Sequence, residues 1–97
     1  MKSLRIHPPA REEILHVLTF YREQQPGLEV RFMDVLEDVL LRIRKHPGIY
    51  RIVELDVRKC RLPRFPYGII FRERGDFVEV IALMHLRKSP GYWKSRV

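Results

Sequence analysis

The apolar positions in the first half of the chain recur at helical spacing. They predict one amphipathic helix over about residues 9–24 and a second from residue 28 to about residue 45. Pro26-Gly27 separates the two helices, and Pro47-Gly48 ends the second one. Ahead of them, residues 3–7 alternate between polar and apolar side chains. This pattern predicts a short first strand followed by an antiparallel helical hairpin.

From residue 49 the period of the apolar positions changes from helical to two. We expect a second strand within residues 49–62, a third over 67–72 and a fourth over 77–85, with a tight turn at Gly75-Asp76. The fourth strand is apolar on both faces, which predicts an interior position with both sides covered. The order βααβββ predicts an α+β fold, in which both helices pack on one face of a small antiparallel sheet.

Length and composition restrict the architecture and the location of the protein. A chain of 97 residues and 11.7 kDa forms one domain, so residues 1–97 are expected to share one core. No apolar run is long enough to span a membrane, and the first nine residues lack the apolar core of a signal peptide. We therefore expect a cytoplasmic protein. The single cysteine, Cys60, excludes an intrachain disulfide and a cysteine-based zinc site.

Positive charge is concentrated in the second half of the chain. Lys and Arg number 19 against 12 Asp and Glu, which gives a net charge of +7, and residues 49–97 carry +6 of it. Most of the cations are arginines, whose planar guanidinium binds phosphate or carboxylate through two hydrogen bonds. The distribution indicates an anionic partner, either a nucleic acid or an acidic protein segment. The alternative is an ordinary basic surface without a specific partner.

Basic and aromatic side chains cluster in the strands of the second half and in the C-terminal tail. Arginines beside aromatic rings could bind phosphates and stack bases, or they could accept an acidic protein segment. A charged sheet edge that resists unwanted pairing is the alternative. Trp93 is also expected to pack back onto the domain. The candidates for contacting a target or partner are Arg58, Arg61, Arg64, Arg87, Lys88, Tyr92 and Trp93.

Other kinds of functional site have little support in the sequence. There is no Gly-rich phosphate loop, no nucleophile elbow and no pair of carboxylates at catalytic spacing. The histidines show no metal-ligand spacing, and His85, at the end of a buried strand, is expected to be structural. We therefore expect neither a cofactor nor a metal, and we expect that the chain is not a conventional cofactor enzyme.

Two stretches of the second half carry a resemblance to a known family. Residues 62–72 contain Arg-Phe-Pro-Tyr at the entry to a strand, and residues 78–93 end in His-x-Arg-x-x-Pro-x-x-Trp. In order and spacing these motifs resemble the RelE/ParE superfamily of bacterial toxins, in particular its ParE-like, plasmid-stabilisation-type branch. The first strand, the helical hairpin and the His-Pro-Gly-Ile-Tyr segment extend the resemblance over essentially the whole chain.

The resemblance implies the toxin of a type II toxin–antitoxin system, neutralised by an acidic antitoxin. The ParE-like branch is associated with inhibition of DNA gyrase, whereas the RelE-like branch cleaves mRNA on the ribosome. An inactive basic binding module on the same scaffold is a third possibility. We expect the antitoxin in an apolar groove beside the helical hairpin, with Arg58 and Arg61 on its rim.

The chain departs from the nuclease pattern of the RelE-like branch at specific positions. Gly68 stands where those nucleases usually carry an arginine, and Arg87 matches a second nuclease arginine. Trp93 replaces an expected tyrosine, with Tyr92 one residue early. The resemblance therefore favours the ParE-like branch. The alternative is a rearranged ribonuclease site, whose candidate catalytic residues are Arg61, Arg64, Arg87 and Tyr92.

Overall fold

The computed structural model describes all 97 residues, from Met1 to Val97. Two helices and five strands are joined by short connections, and two 3₁₀ turns cover Pro47–Ile49 and Lys94–Arg96. The elements are β1 (Ser3–Ile6), α1 (Pro8–Gln24), α2 (Leu28–Lys45), β2 (Arg51–Glu54), β3 (Val57–Arg61), β4 (Tyr67–Arg74) and β5 (Phe77–His85). The strands form one sheet in the order β1-β5-β4-β3-β2. Neither helix is both long and apolar enough to span a membrane.

The predicted α+β class and the two-helix hairpin are confirmed, and the sheet differs from the prediction in two details. It has five strands because the segment predicted as the second strand turns back on itself between β2 and β3. The turn is formed by Leu55 and Asp56, and Leu55 has φ 51, a left-handed conformation that a leucine rarely adopts, so the position that needs this conformation is not marked by a glycine or asparagine. The sheet is also mixed, because β1 pairs parallel with β5.

The helices end where the sequence predicts. Gly27, at φ 98, permits the tight connection between α1 and α2, and a residue with a side chain would be strained at this angle. Helix α1 begins at Pro8, the position where a proline replaces an unpaired N–H. Glu12 and Glu13 therefore lie in its second turn rather than its first. The helix dipole acts mainly within the first turn, so it contributes little to the interactions of these carboxylates.

One face of the sheet, here called the hairpin face, packs against both helices. Phe32, Leu36 and Ile43 of α2 are completely buried against Phe71 and Val80 of the sheet. The hairpin face holds the larger of the two apolar clusters in the molecule. Each Å² of apolar surface removed from water stabilises the folded state by about 25 cal/mol, so this cluster is the main source of the folding free energy.

The other face of the sheet, here called the tail face, is covered by the C-terminal segment. Trp93 is only 4% exposed and packs with Ile70, Ala82 and Met84. The predictions that Trp93 packs back onto the domain and that β5 is an interior strand covered on both faces are both confirmed. A bulge between β4 and β5, with Ile81 as the extra residue, bends β5.

Candidate functional site

Four predicted site residues meet at one end of the sheet. Arg61 ends β3, Arg64 lies in the following loop, and Arg87 and Lys88 follow β5. Antiparallel pairing sets the start of β4 beside the end of β5, and the Leu86 N–H donates to the carbonyl of Pro66 over 2.9 Å. The β3–β4 loop and the turn after β5 therefore adjoin. We call Arg61, Arg64, Arg87 and Lys88 the cationic end.

None of the side chains of the cationic end has an anionic partner within the chain. All four are exposed, and none makes an ion pair or a side-chain hydrogen bond. By contrast, Arg42, Arg72 and Arg96 each pair with a carboxylate. Residues 57–72 and 80–97, which build this region, contain no Asp or Glu. The local potential is therefore positive and attracts an anionic partner.

Arg58 does not belong to the cationic end. Its Nη1 donates to the carbonyl of Tyr50 over 2.7 Å and to that of Gly48 over 3.2 Å. The segment that precedes β2 is thereby tied to β3. In the ladder between β3 and β4, Arg58 lies opposite Phe71, whose side chain is on the hairpin face. Side chains alternate along a strand, so Arg61, three residues further on, projects from the tail face. The two arginines cannot form the rim of a single groove.

Lys59 is a functional candidate that sequence reasoning missed. It lies on the tail face, and its side chain crosses Gly68 so closely that a Cβ on residue 68 would stand 3.2 Å from Lys59 Cε. The lysine therefore occupies the space beside the position where the nucleases carry an arginine. The alternation of β3, together with the glycine in the neighbouring strand, was the available signal. It could be used only once the register between β3 and β4 was known.

A small cleft opens on the tail face beside Trp93. It has a volume of about 190 Å³, with Ile70 and Met84 among the residues that line it. Lys59 and Lys94 also line it, and Lys94 forms an ion pair with Glu54 at 3.1 Å. The cleft is large enough for one apolar side chain and has basic groups on its rim.

The C-terminal segment is attached to α1 and β5 by a cluster of polar side chains. The Tyr92 hydroxyl donates to Glu13 Oε2 over 2.6 Å, and Arg96 Nη1 donates to Glu13 Oε1 over 2.9 Å. The N–H of Leu83 donates to the same Glu13 oxygen over 3.1 Å, and Arg96 also donates to the carbonyl of Ile81 over 3.0 Å. These bonds satisfy the part of the β5 edge that extends beyond β1.

The hydrogen bonds of Tyr92 and His85 limit the acid–base chemistry available near the cationic end. Burial raises the pKa of Tyr92, and the adjacent Glu13 carboxylate raises it further. The Arg87 N–H donates to His85 Nδ1 over 3.0 Å, which places the proton of a neutral imidazole on Nε2. Neither of these two side chains presents a free basic atom that could act as a general base.

The groove beside the helical hairpin differs from the one expected for the antitoxin. It is open and apolar at Leu15, Val30 and Met33, but its rim carries Glu29, Asp34, Glu37 and a single arginine, Arg22. The expectation of a rim of arginines is wrong, because Arg58, although on the hairpin face, bonds to the carbonyls of Gly48 and Tyr50, and Arg61 lies on the tail face. An acidic segment would meet like charge in this groove.

The chain matches a known protein family. The model of the family described as "ParE toxin of type II toxin-antitoxin system, parDE" matches residues 4–90. No curated protein matches the chain.

Two solved structures share the fold. A chain of the chromosomal ParDE toxin–antitoxin system from P. aeruginosa superposes with a TM-score of 0.65 at 15% identity, covering 88% of this chain and 96% of that one. The isolated E. coli RelE toxin superposes with a TM-score of 0.64 at 18% identity, covering 98% of this chain and 95% of that one. With the family match over residues 4–90, the chain belongs to the ParE toxin family of the RelE/ParE superfamily.

Proposed function

We propose that this protein is the toxin of a type II toxin–antitoxin pair and that it acts by binding a target rather than by cleaving RNA. The cationic end carries the proposal. Four exposed cations without an anionic partner in the chain contribute little to stability, yet they give fast, charge-steered association with an anionic surface. Of the targets associated with the ParE-like branch, DNA gyrase is the one we propose, in the cytoplasm of a bacterial cell.

The surroundings of the cationic end favour binding over ribonuclease chemistry. Cleavage of RNA needs a group that takes the 2′-hydroxyl proton and cations that stabilise the charged phosphate. Arg61, Arg64 and Arg87 could supply the cations. Tyr92, the remaining candidate, donates its proton to Glu13, and Gly68 leaves one arginine of the nuclease pattern absent.

An acidic antitoxin fits the tail face better than the hairpin groove. The cleft beside Trp93 accepts an apolar side chain, and Lys59 with the adjacent Arg61 offers partners for carboxylates. The hairpin groove, by contrast, is lined by acidic residues. We propose that the antitoxin neutralises the toxin by covering the tail face and the cationic end together.

The experiment that tests the proposal distinguishes inhibition of DNA gyrase from cleavage of mRNA. The purified protein is added to a DNA gyrase supercoiling assay, and transcripts from cells that express it are mapped by primer extension. We expect loss of supercoiling with intact transcripts, and recovery of supercoiling when the protein encoded by the neighbouring gene is added. Codon-linked cuts in mRNA with unaffected gyrase would favour the ribonuclease. Normal growth and intact transcripts on expression without antitoxin would favour an inactive binding module.

A further inference from the structure

The cleft beside Trp93 on the tail face has an apolar floor whose size suits one small ring. Its volume is about 190 Å³, and the buried side chains of Ile70, Met84 and Trp93 line it. An apolar cavity of about 150 Å³ binds a benzene molecule, whereas pockets for drug-sized ligands measure roughly 300–1,000 Å³. The cleft therefore has room for one aromatic ring with a short linker.

Two lysines lie at this cleft, and each of them crosses a glycine. The side chain of Lys59 crosses Gly68, where a Cβ would stand 3.2 Å from Lys59 Cε and 3.6 Å from its Cγ. The side chain of Lys94 crosses Gly91, where a Cβ would stand only 2.6 Å from Lys94 Cε. A side chain at either glycine would displace the lysine. The two glycines therefore allow both lysine side chains to lie against the backbone beside the cleft.

The two lysines differ in their partners. Lys94 Nζ forms an ion pair with Glu54 Oε1 at 3.1 Å. Lys59 is half-buried and forms no ion pair within the chain. Glu54 and the two lysines are the charged residues that line the cleft, so the lining carries one net positive charge, that of Lys59. A partly buried cation without a partner favours a ligand with one negative charge.

We propose that the cleft binds a small aromatic monocarboxylate, whose ring contacts Trp93 and the apolar floor and whose carboxylate pairs with Lys59. A neutral ligand would leave Lys59 without a partner, and a cationic ligand would be repelled by it. A second carboxylate on the ligand would have to compete with Glu54 for Lys94. If, as proposed above, the antitoxin covers this face, the ligand and the antitoxin should exclude each other. Their simultaneous binding would count against that placement of the antitoxin and not against the site.

The fluorescence of Trp93 tests the proposal directly, because this residue is the single tryptophan of the chain and lines the cleft. The full chain is titrated with 3-phenylpropanoate, with the corresponding amide and with 2-phenylethylamine, at constant ionic strength. Excitation is at a wavelength that phenyl and phenol rings do not absorb. We expect a saturable change with the acid, about tenfold weaker binding of the amide, and still weaker binding of the amine. Equal affinities for the acid and the amide, or no saturable change with the acid, would overturn the proposal.

Three variants that each remove one charge locate the bound carboxylate. Lys59→Gln should raise the Kd of the acid about tenfold and leave that of the amide unchanged. Glu54→Gln should lower the Kd of the acid, because Lys94 then becomes available to the carboxylate as well. Lys45→Gln, the same charge change as Lys59→Gln at an exposed position of α2, is the control and should leave both values unchanged.

Circular dichroism establishes that each variant is folded. Unchanged affinity for the acid in Lys59→Gln, or an equal loss in Lys45→Gln, would show that Lys59 does not bind the carboxylate and would overturn the proposal. The comparison of the three ligands on the unmodified protein needs no variant, so it decides the question even if a variant does not fold.

Discussion

Arg96 and Glu13 hold the two ends of the chain together. Two guanidinium nitrogens of Arg96 donate to the two carboxylate oxygens of Glu13, at 2.9 and 3.1 Å, although the residues are 83 positions apart. The side chains are 17% and 23% exposed, so the pair is partly shielded from water. This bidentate pair fixes the C-terminal segment that carries Trp93 over the tail face. The position of Trp93 over the tail face thus depends on a residue of α1.

Removing the Glu13 carboxylate should destabilise the fold. Glu13→Ala leaves the Leu83 N–H, the Tyr92 hydroxyl and the Arg96 guanidinium without their shared acceptor. We expect the free energy of unfolding to fall by about 1–3 kcal/mol, measured by urea denaturation. Glu12→Ala is the matched control, because the neighbouring Glu12 is exposed and makes no side-chain bond; it should change stability by less than about 0.5 kcal/mol. Equal losses in both variants would contradict the role of Glu13.

Trp93 should contribute to stability through packing. Trp93→Ala removes a nearly buried ring from the cluster that contains Ile70 and Met84, at a cost of about 3–5 kcal/mol. Trp93→Phe keeps most of the apolar volume and should cost clearly less. Thermal melts compare the two variants. A melting temperature of Trp93→Ala close to that of the unmodified protein would show that the ring does not support the tail face.

Arg58 should contribute to the stability of the fold, whereas Arg61 should contribute to antitoxin binding. Arg58→Ala breaks two bonds to backbone carbonyls and should lower the free energy of unfolding by about 1–3 kcal/mol. Arg61→Ala removes an exposed side chain without partners, and its stability should change by less than about 0.5 kcal/mol. Arg61→Glu should nevertheless weaken antitoxin binding and lower the salt dependence of association, as measured by surface plasmon resonance. Arg31→Glu, the same charge change on an exposed position of α2, is the control and should leave binding unchanged.

The tyrosines predict alkaline destabilisation. Burial raises the pKa of Tyr21 to about 12 and also raises the pKa values of Tyr50, Tyr67 and Tyr92 above their ordinary value of 10.0. The folded state then holds these phenolic protons at pH values where the unfolded state has lost them. Stability from this source is fully present below about pH 10 and falls as the pH rises towards 12. Tyrosinate absorbance should therefore rise at higher pH in the native protein than in urea. Coincident titration curves would contradict this.

Local sequence patterns predict the helices well and the sheet less completely. The helical period, Pro26-Gly27 and Pro47-Gly48 locate both helices because capping and periodicity depend on neighbouring residues. The turn between β2 and β3 is not predictable in this way, since Leu55 takes a left-handed conformation without a glycine or asparagine to signal it. Parallel pairing of β1 with β5 links residues more than 70 positions apart, and no local pattern encodes it.

The candidate site, too, is predicted from the sequence only in part. The distribution of charge along the sequence identifies the second half of the chain as the basic half. In the fold, the ends of β3 and β5 bring Arg61, Arg64, Arg87 and Lys88 together. Sequence alone does not show that Arg58 bonds to the carbonyl of Tyr50 or that Tyr92 bonds to Glu13. Both facts depend on strand register and on a contact between distant segments, which exist only in the folded chain.

The central claim is that the cationic end acts on the target. It is tested by comparing growth after induced expression of two variants that have the same net charge. The first variant replaces Arg61, Arg64, Arg87 and Lys88 with alanine. The second removes four exposed cations of the helices, Arg11, Arg22, Arg31 and Lys45. Both lose the same net charge, and circular dichroism confirms that both fold. We predict growth arrest by the unmodified protein and by the helix variant, and normal growth with the cationic-end variant. Arrest by both variants would contradict the account.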